Sequence, residues 1–351
     1  MKIAKSELKE WARQSLVGVQ NITMPSFTPD LSELDEDGIR WDVQQAIRHG
    51  FFATMCVTES MLTFEECKRF VEIVADEAKG KILVGVNLAL DSFERNIALA
   101  RHAEKAGASL LNMGFPPNFY PADVEEVYRA GKKMIEATSL AVTIHPSPHF
   151  NFERFHPSCY PPELIERFAD IDNVVATEIG DPGLAADAIS RVDGKILVSC
   201  PIERFLPMMW GACKQQFIGP GPYEAFQSPE KPFLVDYFRM MREGDHDKAW
   251  EIYWHLTPAR VFFEQNHMPG ARAGTYNWPL MKYYQWLVGG NGGYVRQPTM
   301  KVHHWESEPY KFALMQLGIE PREPDEEFYC GRLNFEKIRK GTLKLQRAQD
   351  Y

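Results

Sequence analysis

Between about residue 17 and residue 219 the chain alternates short apolar runs with longer amphipathic stretches, and that alternation leaves few folds open. Eight runs read as strands: 17–23, 52–57, 82–87, 109–113, 141–145, 174–178, 196–200 and 216–219. Each is short, largely apolar and bounded by Gly, Pro or Asn, the pattern of a strand covered on both faces. The stretches between them carry helical spacing, as in 63–79, 93–106, 122–137 and 161–171. Thr63 with Glu66 three residues on predicts a capping box at the first of these. Eight strands alternating with helices are the inventory of a (β/α)8 TIM barrel.

The rhythm breaks after the eighth run. Segments 233–243, 247–265, 276–288 and 307–317 read as helices with no strand between them, a C-terminal helical appendage. The expected organisation is an N-terminal helix over 1–16, a barrel over 17–230, a helical region over 231–318 and a charged tail over 319–351. The tail is expected to wrap the surface or to touch a neighbouring subunit. A length of 351 residues suits one barrel with an appendage.

Composition narrows the partners. A net charge of -9 argues against nucleic acid or an anionic membrane as the main partner, which leaves a small molecule. No apolar run approaches the ~18 residues that span a bilayer, and 1–16 lacks the apolar core of a signal peptide. The six cysteines show no C-x-x-C spacing, which fits reduced thiols and a cytoplasmic protein.

In such barrels the reacting groups stand at the C-terminal ends of the strands. That rule collects Gln20, Asn21, Cys56, Glu59, Asn87, Asn112, His145, His149, Glu178, Asp181 and Cys200. Glu178, closing an apolar strand, should be desolvated and hold its proton more tightly, which suits proton transfer. His145, one strand away, is a candidate to exchange a proton with the substrate. Asn21, Asn87 and Asn112 are placed to orient a carbonyl or an oxyanion, and Phe119 to stack on an apolar substrate. Bland readings stand beside these: Glu178 pairing with Arg204 at the rim, Cys56 and Cys200 as small fillers, the asparagines as turn formers. No cofactor is required. A divalent metal on His145, His149 and Glu178, with His156 nearby, stays open as an alternative.

Several segments resemble the dihydrodipicolinate synthase / N-acetylneuraminate lyase family of class I aldolases. They are Phe27-Thr28-Pro29-Asp30 with Leu34-Asp35, Leu62-Thr63-Phe64-Glu65-Glu66, Ala106-Gly107-Ala108 with Phe115-Pro116-Pro117, Glu243-Gly244-Asp245, and Gly292 to Pro298. The resemblance runs over roughly 17–318 and implies the barrel, an aldolase-like activity and a homo-oligomer, commonly a tetramer. It also implies a Schiff-base lysine where this chain has Glu178, a proton-relaying tyrosine where it has His145, and a substrate-holding threonine pair where it has Cys56 and Val57. Glu59 keeps its place. Lys81, Lys195 and Lys214 precede strands, and Lys132 and Lys133 lie mid-helix, so no lysine ends a strand. The resulting expectation is a lyase acting on a small carbonyl compound by acid–base catalysis without an imine. Glu178 and His145 would be catalytic, and Glu59, Cys56, Asn112, Asn21, Phe119 and Cys200 would bind substrate. The alternatives are a hydrolase in which Glu178 and His145 activate water, and a non-catalytic metabolite-binding protein.

Overall fold

A computed structural model of the chain describes residues 3–296 and 302–344. All eight expected strands form, with ends shifted by a residue or two: β1 (Gly18–Thr23), β2 (Ala53–Cys56), β3 (Leu83–Leu88), β4 (Leu110–Met113), β5 (Ala141–Ile144), β6 (Val174–Glu178), β7 (Leu197–Ser199) and β8 (Phe217–Gly221). Neighbours pair in parallel in the order β7-β6-β5-β4-β3-β2-β1-β8. The seam between β7 and β8 is stitched mainly by side chains. Ser199 Oγ donates to the Phe217 carbonyl at 3.1 Å, while Gln215 donates to the Cys200 carbonyl at 3.1 Å and accepts from its amide at 2.9 Å. The result is a TIM barrel, nearly closed.

An N-terminal helix, α1 (Leu8–Ser15), precedes the barrel. Its Leu8 and Ala12, with Leu16, join the lumen residues Met55, Leu110, Ala141, Val175 and Phe217 in one buried cluster. This helix therefore plugs the end of the barrel opposite the strand C-termini. The surrounding helices are α2 (Glu36–Arg48), α3 (Phe64–Ala78), α4 (Phe93–Ala106), α5 (Val124–Glu136), α6 (Pro162–Ala169), α7 (Ala186–Val192), α8 (Leu206–Cys213) and α9 (Phe233–Glu243). The capping box at α3 forms as expected, Thr63 N donating to Glu66 at 2.8 Å and Glu66 N to Thr63 Oγ1 at 3.3 Å. The same Glu66 takes a two-pronged ion pair from Arg296, both contacts at 2.8 Å, which ties the Gly292–Arg296 turn to the barrel. Gln297 and Pro298, which complete that turn in sequence, lie outside the described residues.

The appendage comprises α10 (His246–His255), α11 (Thr257–Asn266), α12 (Met268–Arg272), α13 (Trp278–Leu287) and α14 (His304–Gln316). The single helix expected over 247–265 is two, because Pro258 near the start of α11 has no N–H to continue the ladder of α10. A buried ion pair anchors α11 on the loop after β7: Arg260 Nη2 meets Glu203 Oε1 at 2.7 Å, and its Nε meets Oε2 at 2.5 Å. The charged tail is not purely a surface strap. It forms α15 (Asp325–Cys330) and α16 (Arg332–Arg339), and Phe328, Cys330 and Asn334 are buried against α2 and α13.

Candidate active site

The lumen-facing residues follow from strand parity. Successive side chains on a strand point to opposite faces, so Leu110 in the inner cluster and Leu111 and Met113 in the outer one put Asn112 inside. β6 departs from simple alternation. Val142 pairs with Val174 and Thr143 with Ala176, so one extra residue of β6 is accommodated at Val175. Val175 and Ala176 both join the inner cluster, and the parity after the bulge turns Glu178 inward, level with Ser199 of β7.

His145 follows the last residue of β5. Its Nδ1 stands 2.6 Å from Oε2 of Glu178, with side chains 20% and 2% exposed. The approach is close but off the line a full hydrogen bond requires, so Nδ1 has no well-aligned acceptor. Burial pushes the Glu178 carboxyl above its ordinary range, and the adjacent His145 offsets part of that rise. Arg204, the alternative partner considered from sequence, instead pairs with Glu264 at 3.3 Å.

A second carboxyl faces the same mouth. Glu59 lies beyond β2, and burial raises its proton affinity while Asn87 and His145 pull the other way. Its Oε2 is buried with no hydrogen-bond partner, and so is Oδ1 of Asn112. Asn87 and Asn112 sit side by side on β3 and β4. One further group comes from outside the barrel. Tyr276, just before α13, packs its ring 4.5 Å from His149 and 4.8 Å from Trp278. Its phenol lies in the field of both Glu59 and Glu178, and burial keeps it protonated.

The other expected site residues are placed differently. Asn21 shares the outward face of β1 with Val19, and its amide donates to Glu224 at 2.6 Å behind the strand. Cys56 likewise faces outward, packed in the barrel–helix layer. Cys200 belongs to that outer layer too, with its thiol pushed up to about 12 by burial. Phe119 stacks on Phe115 at 5.6 Å and meets Phe93 edge-on at 5.0 Å, so its ring is spent on packing. That aromatic cluster extends through Phe150 to within 6.5 Å of the His145 ring. His149 shares a proton with Ser147 Oγ at 2.6 Å, and His156 with Ser158 Oγ at 2.7 Å. Among the described residues no group of three or more His, Cys, Asp or Glu is assembled to hold a metal ion.

Three groups escape a strand-by-strand reading. Tyr276 lies in no strand and in no recognisable motif. Glu224, in the short turn after β8, is fully enclosed behind β1, and burial raises it to about 7. Lys282 of α13 is buried, donates at 2.6 Å to both the Pro25 carbonyl and Ser26 Oγ, and is lowered to about 8 by that burial.

The class is now defined: a (β/α)8 barrel with titratable groups gathered at the C-terminal ends of its strands. Residues 26–210 match the profile described as the dihydrodipicolinate synthetase family. The chain is 24% identical over 311 residues to a 4-hydroxy-tetrahydrodipicolinate synthase of Methanopyrus kandleri, covering 87% of this chain and 97% of the relative. It is 29% identical over 317 residues to the enzyme of the same name from Chloroherpeton thalassium, covering 88% and 97%. Among solved structures, dihydrodipicolinate synthase from Oceanobacillus iheyensis superposes with a TM-score of 0.72 at 17% identity, covering 89% of this chain and 99% of that one. N-acetylneuraminate lyase from Fusobacterium nucleatum gives 0.70 at 17%, covering 86% and 99%. The chain belongs to the dihydrodipicolinate synthetase family.

Proposed function

We propose that this protein is a lyase that makes or breaks a carbon–carbon or carbon–oxygen bond beside a carbonyl by acid–base catalysis, without an imine intermediate. The observation that carries this reading is the buried Glu178, 2.6 Å from the half-buried His145 and standing where the resemblance puts a Schiff-base lysine. A carboxylate cannot condense with a ketone. It can take a proton from a hydroxyl or from the carbon next to a carbonyl, and His145 beside it can receive or return that proton. The negative charge then growing on the carbonyl oxygen needs donors, and the protonated phenol of Tyr276 and the amides of Asn87 and Asn112 are at hand. Family membership supports the lyase class, since named relatives are synthases and a lyase. A cytoplasmic homo-oligomer, a tetramer by analogy, completes the proposal. No helix among the described residues is long and apolar enough to cross a membrane.

Borohydride trapping with pyruvate and with small aldehydes, read by intact-protein and peptide mass spectrometry, tests the mechanism. Exposed lysines alkylate unspecifically with aldehydes, so the informative result is a stoichiometric, saturable adduct at one lysine, and none is expected. Such an adduct overturns the reading, and Lys282 is the first peptide to inspect.

A further inference from the structure

We propose that the mouth of the barrel recognises a small carbonyl compound bearing a protonated amine, and that it rejects 2-keto acids. The carbonyl half of this statement rests on the function proposed above; the amine half rests on the polar inventory of the mouth.

Two desolvated carboxyls, Glu59 and Glu178, face one space, and His145 lies in the field of both. Among the described residues no lysine or arginine acts on Glu178. Lone carboxylates in a poorly hydrated site are costly unless a cation or a proton joins them. Independent of charge, two buried acceptor atoms lack donors, Oε2 of Glu59 and Oδ1 of the lumen-facing Asn112, and Asn112 is only 3% exposed. A buried acceptor without a donor is uncommon in a folded protein and points to a donor that arrives with a ligand. An ammonium group brings three N–H donors and a positive charge, which answers both deficits together.

The same inventory disfavours a carboxylate. The resemblance places a threonine pair for keto-acid binding at Cys56 and Val57. Cys56 faces away from the lumen, and Val57 has no hydroxyl to offer. A 2-keto acid would enter with its negative charge toward two glutamates, and among the described residues no lysine or arginine acts on Glu178 to offset it. Like charges brought together in a desolvated site are strongly unfavourable.

Three ligands of nearly equal size separate the contributions: aminoacetone is cationic, hydroxyacetone neutral, pyruvate anionic. Titration calorimetry on the full chain near neutral pH is expected to rank them in that order, aminoacetone binding at least about tenfold tighter than hydroxyacetone. Aminoacetone affinity should increase as pH rises above the ordinary carboxylate range, because burial makes both carboxyls hold their protons more tightly. Glu59→Gln should weaken aminoacetone about tenfold and hydroxyacetone far less, because only the amine loses an opposite charge. If that variant does not fold, the wild-type ranking alone decides. Pyruvate binding as well as aminoacetone, no preference among the three, or no binding by any of them overturns the proposal. A trapped imine alongside a clear amine preference would overturn the mechanism proposed earlier and leave this inference standing.

Discussion

At the scale of single residues, the chemistry turns on a carboxyl that gives up its proton less readily than a free one. Burial raises Glu178 and its neighbour His145 only partly offsets the effect, so the ionised, proton-accepting form grows in above the ordinary carboxylate range. Glu178→Gln keeps the shape and removes the titration. Turnover is expected to fall by about a hundredfold or more, with the melting temperature unchanged or raised, because a desolvated acid has been replaced by a neutral amide. A variant that loses activity only in proportion to lost folded protein would reduce Glu178 to a structural residue. Glu178, His145, Glu59 and Asn112 were all visible from strand ends. The directions of Asn21 and Cys56 were not, because they depend on parity: each stands one residue from an inward position, beside Ile22 and Met55 of the inner cluster. A side chain's face is fixed by register with neighbouring strands, which a single sequence does not display. Tyr276 was hidden for another reason. It lies almost a hundred residues beyond Glu178 in sequence, in a segment whose only signal is an aromatic before a helix cap.

The elements themselves were legible wherever both period and punctuation were strong. Strands covered on both faces reveal themselves as apolar runs, and α4 and α9 match their expected bounds, Phe93–Ala106 and Phe233–Glu243. Pro258 dividing α10 from α11 was readable in principle but outweighed by continuous helical spacing. The packing of β1 against α13 carries its own prediction. Glu224, held by Asn21 at 2.6 Å and by Gln285 at 3.2 Å, is raised from 4.5 to about 7 by burial. A carboxyl that binds its proton more tightly when folded stabilises the fold most below its unfolded pKa. That contribution fades as pH rises from about 4.5 through about 7. Denaturant titrations of Glu224→Gln, whose amide oxygen can still accept both bonds, should show a flatter fall in stability across that window than the wild type. An identical slope would mean that folding leaves the proton affinity of Glu224 unchanged.

Over the whole molecule, barrel, appendage and tail are joined by buried contacts that a domain diagram would miss. Glu327 of α15 accepts from the Trp286 indole at 3.2 Å and from Arg322 Nη2 at 2.8 Å, while Phe328 packs edge-on to Tyr283 at 5.0 Å. Asn334 of α16 reaches back to Asp35 at 3.3 Å. Deleting the chain from Asp325 onward should therefore lower the melting temperature by several degrees and move Trp286 toward a solvent-exposed fluorescence. Phe328 alone represents about 2 kcal/mol of buried apolar surface. An unchanged melting temperature would show the tail to be dispensable.

The loop that carries Tyr276 reaches the mouth from the helical region, packed so closely on the segment after β5 that a Cβ at Gly274 would lie 3.3 Å from the backbone of His149. The consequence is a division of labour open to selection. The proton-handling pair belongs to the strands, whereas part of the roof over it belongs to a connection that no strand constrains. Descendants of this chain could exchange one substrate for another by rewriting a handful of residues around 270–278, with the reacting centre left untouched.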